Sequence, residues 1–308
     1  MQRLILALIF AIASICAPAY AADRPDILEV IALKGEVNQN MADTVTKQVA
    51  EINENQRVRA VLLDVDSPGG GVLESAEIYE ELAKLKVPVV GYCENICASG
   101  GMYVLMSPSV KFIGVRTMTI SGSIGVISHI TRYNRLLEWA KIDSATYKSG
   151  VAKDTGNPAR AETPEDTAEL QGEINDLASR FYALVVKSRG AKITPAALVE
   201  IKTARVFFGV DGVKIGLVDA VESREQIIAK AKDLSGSHAI FTREELKKMS
   251  KDAGAGSDDT YGATYNAHDS AFWMAQALFD DFQYCVSWIK EVRGGENISF
   301  EYRAPYAP

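Results

Sequence analysis

The chain has 308 residues, enough for one or two domains, with 47% hydrophobic and 24% charged residues, an ordinary globular balance. Its formal net charge is −7, so there is no basic field for nucleic acid or anionic lipid. That charge excludes an electrostatic nucleic-acid partner.

The first residues read as an export signal. Met1-Gln2-Arg3 carries one positive charge, Leu4 to Cys16 is uncharged and apolar, and Ala19-Tyr20-Ala21 is an A-x-A cleavage site. The expected segment is 1–21, with the mature chain starting at Ala22. Losing Arg3 would move the charge from −7 to −8. The competing reading keeps the segment as a membrane anchor, although the run is shorter than the roughly 20 residues a spanning helix needs. Either way the protein is exported, to the periplasm or another extracytoplasmic space, with membrane association an open alternative.

In chain order, Ile27–Leu33 reads as a strand closed by Gly35, and Met41–Ile52 as a helix with Val45, Val49 and Ile52 on one face. Val58–Val65 is the near-continuous apolar run of a strand buried on both sides. It ends at Asp66-Ser67-Pro68-Gly69-Gly70-Gly71. A helix follows over Leu73–Leu85, then the strand Val87–Tyr92, the turn Ala98-Ser99-Gly100-Gly101 with its own helix, and a short strand near Val110–Ile113. Strands alternating with helices at this spacing predict right-handed βαβ crossovers and a mostly parallel sheet. Ligands of such sheets bind beyond the strand C-termini, where both Gly-rich turns fall.

The Ser99 turn has a chemistry of its own. Glycine lets a backbone approach a ligand closely, and the first N–H groups of a helix are unpaired and point outwards. A serine there places a hydroxyl beside ready donors, as acyl transfer requires. The plainer reading is a helix start with a serine cap.

Further on, Gly122-Ser123-Ile124-Gly125-Val126 is small-residue backbone, and Tyr133–Ala140 reads as a helix. Then comes Ser149-Gly150-Val151-Ala152-Lys153-Asp154. Thr163-Pro164-Glu165-Asp166 starts a long helix with Leu170, Ile174, Leu177, Phe181, Leu184 and Val185 as its apolar stripe, ended by Gly190. A short helix from Pro195, the turn at Gly209, the run Gly216-Leu217-Val218-Asp219 and a helix over Arg224–Leu234 complete this unit. The main domain is thus expected over 22–234. Residues 235–308 form an extension of unknown role, with a Gly/Ala/Ser/Asp-rich stretch over 252–265 and a mainly helical segment over Ala271–Val292.

In order and spacing, five segments resemble the signal peptide peptidase A family of serine peptidases, which has the Clp-protease/crotonase fold. They are the motifs at Asp66–Gly71, Ala98–Gly101, Gly122–Val126, Ser149–Asp154 and Gly209–Asp219, and the resemblance covers roughly 25–230. It implies a Ser–Lys dyad: Ser99 as nucleophile, Lys153 as general base, Ser123 orienting the lysine. It also implies an oxyanion hole from the N–H groups of Gly70 and Gly100. Gly69, Gly71 and Gly101 would line the substrate groove, extended peptides such as spent signal peptides would be substrates, and a homo-oligomer is implied.

The residues support this reading independently. A lysine serves as base at neutral pH only where burial favours its neutral form. His129, His238 and His268 lie away from the Gly-rich turns and read as surface or packing residues. Lys148 is the rival base; its plain role is a solvated strand residue. Asp64 and Asp66 could suggest an aspartyl pair, but at a strand end they fit an anchor for the turn. Two function classes remain as alternatives: a crotonase-like acyl-thioester enzyme, and a non-catalytic scaffold on the same fold.

Cleavage at Ala22 would leave Cys93, Cys97 and Cys285, which is no disulfide framework. No Cys/His group has zinc-ligand spacing, so neither metal nor cofactor is expected. Cys97 departs from the family pattern, which has a small apolar residue there. Glu94-Asn95-Ile96 reads as extended, which would hold Cys93 and Cys97 too far apart to bridge, so no bond is expected between them.

Overall fold

A computed structural model describes residues 25–237 and 239–252. The export signal, Cys16, His238, His268, Cys285 and the helical segment expected over Ala271–Val292 lie outside the described residues.

The strands form where apolar runs end at turn residues. β1 (Asp26–Lys34), β2 (Val58–Ser67), β3 (Val89–Ala98), β4 (Val110–Val115) and β5 (Ile120–Gly122) are joined by β6 (Val206–Phe208), β7 (Ala220–Val221) and β8 (Ile240–Thr242). One path through the sheet runs β6-β5-β3-β2-β1-β8, while β4 pairs with β3 and carries β7. Pairing is parallel except between β5 and β6. The α/β expectation with a mostly parallel sheet therefore holds.

The central strands are buried on both faces, which explains their unbroken apolar sequence. On one face, Ile31, Leu33, Val61, Leu63 and Val65 pack with helices α1 (Gln39–Glu54), α2 (Val72–Ala83), α3 (Gly100–Leu105) and α5 (Pro164–Arg189). α4 is the short helix Asn134–Trp139, which has no buried residue. On the other face, Leu28, Ala60, Leu62, Val90 and Tyr92 meet Ile227 and Ala231 of α8 (Arg224–Ser235). α6 (Pro195–Ile201) and α7 (Gly209–Lys214) connect the later strands, and α9 (Arg243–Asp252) follows β8.

Local signals fix the helix ends. The Thr163 hydroxyl accepts from Asp166 N at 3.2 Å, and the Asp166 carboxylate accepts from Thr163 N at 2.9 Å, a full capping box with Pro164 behind it. The stripe of α5 is buried only in its second half, at Ala178, Phe181 and Val185; Leu177 is exposed. The compact unit runs Pro25–Lys248, so the sheet continues past the boundary expected at 234: β8 pairs Asp26 with Ile240 and Leu28 with Thr242. No helix among the described residues is long and apolar enough to cross a membrane.

One expectation is overturned here. Cys93 and Cys97 are joined by a disulfide, with Cα atoms 5.9 Å apart. The connection is not extended. β3 pairs Cys93 with Val65 and Cys97 with Ser67, so residues 94–96 stand against the single residue Asp66. This bulge folds the chain back and halves the span that a straight strand would give, about 13 Å for four residues.

Candidate active site

The site assembles where β2, β3 and β5 end together. Ala98 of β3 pairs with Gly122 of β5, so Ser99 and Ser123 are the next residues on neighbouring chains. Both have positive φ, 50° at Ser99 and 52° at Ser123, a region non-glycine residues enter only when their surroundings hold them. Ser99 is held by its N–H donating to Gly122 O at 2.9 Å and by its carbonyl accepting from Tyr103 N at 2.9 Å. Ser123 N donates to Arg205 O at 2.9 Å. Ser99 is half-buried, at the N-cap of α3 without any cap bond from its side chain. Its hydroxyl is therefore not spent on the helix.

The Gly-rich turn after β2 lies against this point. Gly69 has φ 101°, and a Cβ there would sit 2.7 Å from Gly100 N and 2.8 Å from Ser99 Cβ. A Cβ on Gly100 would sit 3.3 Å from Gly70 N and 2.4 Å from the Ser75 hydroxyl. The N–H groups of Gly70 and Gly100 thus belong to one small space beside Ser99. Val37 braces the turn from below: its N–H donates to Gly69 O and its carbonyl accepts from Gly71 N, both at 2.9 Å, leaving Gly70 N outside the bridge. Gly100 N opens α3, where the first N–H groups have no intrahelical partner. Gly71 caps α2, and Gly101 packs so close to β2 that a Cβ would lie 2.7 Å from Ser67 O.

Asp64 and Asp66 are anchors. Asp64 pairs with Lys34 at 2.7 Å and Arg224 at 3.5 Å. Asp66 accepts from Ile96 N at 3.2 Å and the Asn95 amide at 2.8 Å, which holds the bulge. His129 is exposed, with Thr131 as its neighbour.

Lys153 stands on a 3₁₀ turn, Val151–Asp154, and is exposed. Its side chain has no hydrogen bond or ion pair among the described residues, and none joins it to Ser99 or Ser123 within this chain. Lys148 is not the strand residue expected. Its amine is tied to the Asp154 carboxylate and to Val151 O, at 2.8 Å for the latter. Asp154 also accepts from Arg160 at 2.8 Å, and Arg160 reaches Asp166 at 2.5 and 2.8 Å. The hydrogen bonds from Arg160 and then Lys148 draw the Asp154 carboxyl down to about 2, and Arg160 holds Asp166 below the ordinary carboxylate range.

In the sequence this clamp leaves no sign beyond Asp154 itself, because its partners are spread over 148–166. A second anchor is Asp219, which accepts from Arg189 at 2.7 and 3.1 Å, from Lys192 at 2.5 Å and from Ile113 N at 2.8 Å. Burial pushes its carboxyl up, but the bonds from Arg189 and Lys192 outweigh it and hold the group low.

The profile of Peptidase family S49 matches residues 81–238, and that of Clp protease matches 26–126. The chain belongs to peptidase family S49. The "Putative signal peptide peptidase SppA" of Enterococcus faecium is 36% identical over 211 residues, 66% of this chain and 60% of that protein. The "Putative protease slr0021" of Synechocystis is 34% identical over 208 residues, 67% of this chain and 73% of that protein. "Protease 4" of Salmonella typhi is 31% identical over 196 residues, 63% of this chain but only 31% of that protein. The chain thus matches less than two thirds of the first and third of these relatives.

Proposed function

We propose that this family S49 member is an exported serine endopeptidase with a Ser–Lys dyad, acting on extended peptides such as cleaved signal peptides. The observation that carries the reading is the positive-φ Ser99 beside the N–H groups of Gly70 and Gly100. Lys153, as general base, takes the proton of Ser99 Oγ as that oxygen attacks the scissile carbonyl carbon. The oxyanion is received by the two N–H groups, and Ser123 orients the amine. The tetrahedral adduct collapses, the leaving amine takes the proton from Lys153, and water cleaves the acyl-enzyme by the same route in reverse.

Lys153 is preferred over Lys148 because Lys148 is already engaged with Asp154. An extended substrate would lie along the turn that holds Gly69 and Gly71, while Gly101 packs against β2. Lys153 is exposed in the single chain, so its neutral form needs a cover, and a second copy of this chain is proposed to supply it.

A fluorophosphonate probe tests the reading. Wild type should be labelled at Ser99, and Ser99→Ala and Lys153→Ala should each lose labelling and peptide hydrolysis while keeping the fold. Activity that survives Lys153→Ala and disappears in Lys148→Ala would reassign the base. An acyl-thioester enzyme or a scaffold would leave peptides uncut.

A further inference from the structure

We infer that the Cys93–Cys97 disulfide positions the nucleophile, so that its oxidation state sets the rate of acylation at Ser99. The inference rests on the reading of Ser99 given above.

β3 is a strand of two halves. Residues Val89–Cys93 pair with β4, and Ile96–Ala98 pair with β5. The partner changes at the bulge over 94–96. The first half belongs to the frame of the sheet; the second ends one residue before Ser99. The disulfide joins the last residue of the first half to the middle of the second, and both cysteines are fully buried.

The other ties at this joint are polar. The Thr119 hydroxyl lies 3.0 Å from Cys93 O and 2.7 Å from Glu94 O, and Asp66 holds Asn95 and Ile96. Each of these fixes the bulge itself to β2 or to the loop before β5. None spans it. Among the described residues, the disulfide is the one bond that joins the two halves of β3 to each other. Ser99 holds a backbone conformation that persists only when its neighbours over-determine it. A covalent link two residues upstream is such a constraint.

Reduction leaves the polypeptide chain intact. A dithiol such as dithiothreitol gives two electrons and two protons to the bond; Cys93 and Cys97 become thiols, and the reagent ends as its own cyclic disulfide. The Cys97 sulfur then has an acceptor in place, Val65 O at 3.4 Å. The reduced joint is therefore satisfied but free to open, and an error of about 1 Å in a nucleophile can cost about a hundredfold in rate.

The test uses the full chain purified without reductant, with the bond verified by non-reducing mass mapping. Fluorophosphonate labelling rates and peptide kcat and KM are compared for oxidised protein, dithiothreitol-treated protein and Cys93→Ala/Cys97→Ala, with near-UV circular dichroism as the control for folding. Reduction should slow labelling about ten- to hundredfold and lower kcat, with KM nearly unchanged and the dichroism retained. Reoxidation should restore the rate.

An unchanged labelling rate in folded, reduced protein overturns the inference, as does fully active protein whose two cysteines alkylate without reduction. If the double variant does not fold, the dithiothreitol arm decides. Loss of near-UV dichroism in that arm also overturns the inference, since the bond would then hold the whole fold rather than Ser99. Oxidised wild type that hydrolyses peptide without being labelled at Ser99 would instead strike the reading of the nucleophile, and this inference with it.

Discussion

At Gly70, a Cβ would lie 2.2 Å from Val37 O and 2.7 Å from Val37 N, and both atoms are backbone within a paired bridge. Neither can give way without moving the turn that holds the N–H beside Ser99. Gly70→Ala should therefore cost at least about a hundredfold in kcat, the scale of removing one oxyanion donor, together with a lower melting temperature. Normal turnover in that variant would remove Gly70 from the site. Gly172 is the opposite case. It sits inside α5, exposed, with nothing within 4 Å of an added Cβ. Gly172→Ala should raise stability by about 0.5–1 kcal/mol in a denaturant titration and leave kcat unchanged, because it removes only the entropy cost of a helical glycine. Together the two variants separate close packing at the site from ordinary helix propensity.

The element that carries Lys153 is fastened at its C-terminal side rather than through its own side chain. Arg160 donates to Asp154 and Asp166 at once, and Asp166 is also the reciprocal partner in the α5 capping box. The 3₁₀ turn Val151–Asp154 is thereby clamped to the first turn of α5, and Thr155 adds a bond to Glu169 at 2.9 Å. The carboxyls of Asp154 and Asp166 are lower in the folded state than their usual 3.8. A lowered carboxylate adds stability above its unfolded value and loses it as pH falls toward the folded one. The clamp should hold at neutral pH and loosen from about pH 4 down to about 2. Hydrogen exchange over 148–166 should rise across that window, and Arg160→Ala should raise it already at pH 7. Flat exchange in both experiments would mean that the clamp does not order this turn.

The contrast with the strands shows what the sequence could carry. β2 and the helices α1 and α5 were legible because their signals are local: an unbroken apolar run, a 3.6-residue period, a Thr-Pro-Glu-Asp start. The Gly-rich turns and Ser99 were legible for the same reason. The bulge at Glu94-Asn95-Ile96 was not, because it holds no Gly or Pro and is made by Asp66, about thirty residues upstream. The disulfide depended on that bulge, so it was missed as well. The pairing of Lys148 with Asp154, with the Lys153 side chain bonded to none of the described residues, also arises from folding of the loop and not from spacing.

At the scale of the whole molecule, the surface from Met118 to Val151 does not match a free chain. Ile127 is 89% exposed, Trp139 81%, Tyr147 95% and Val151 78%, and Leu136 and Ile142 are exposed as well. Scattered single apolar residues on a surface need no explanation, but this many in one stretch, with a tryptophan among them, are what the proposed assembly would cover. The stretch ends at the turn that bears Lys153, whose role as base requires loss of water around its amine. In the proposed assembly, a second copy packed on these residues would meet both needs at once: it would cover the apolar side chains and dry the lysine. Assembly and activity should then fall together. Trp139→Glu and Tyr147→Glu should each shift sedimentation toward a single chain. They should also lower kcat by at least about tenfold, while circular dichroism stays native, as both side chains are exposed. Restoring assembly by raising protein concentration should restore specific activity, since association is a mass-action term. A variant that sediments as a single chain and still hydrolyses peptide at the wild-type rate would show that Lys153 works within one copy and that the exposed face serves some other purpose.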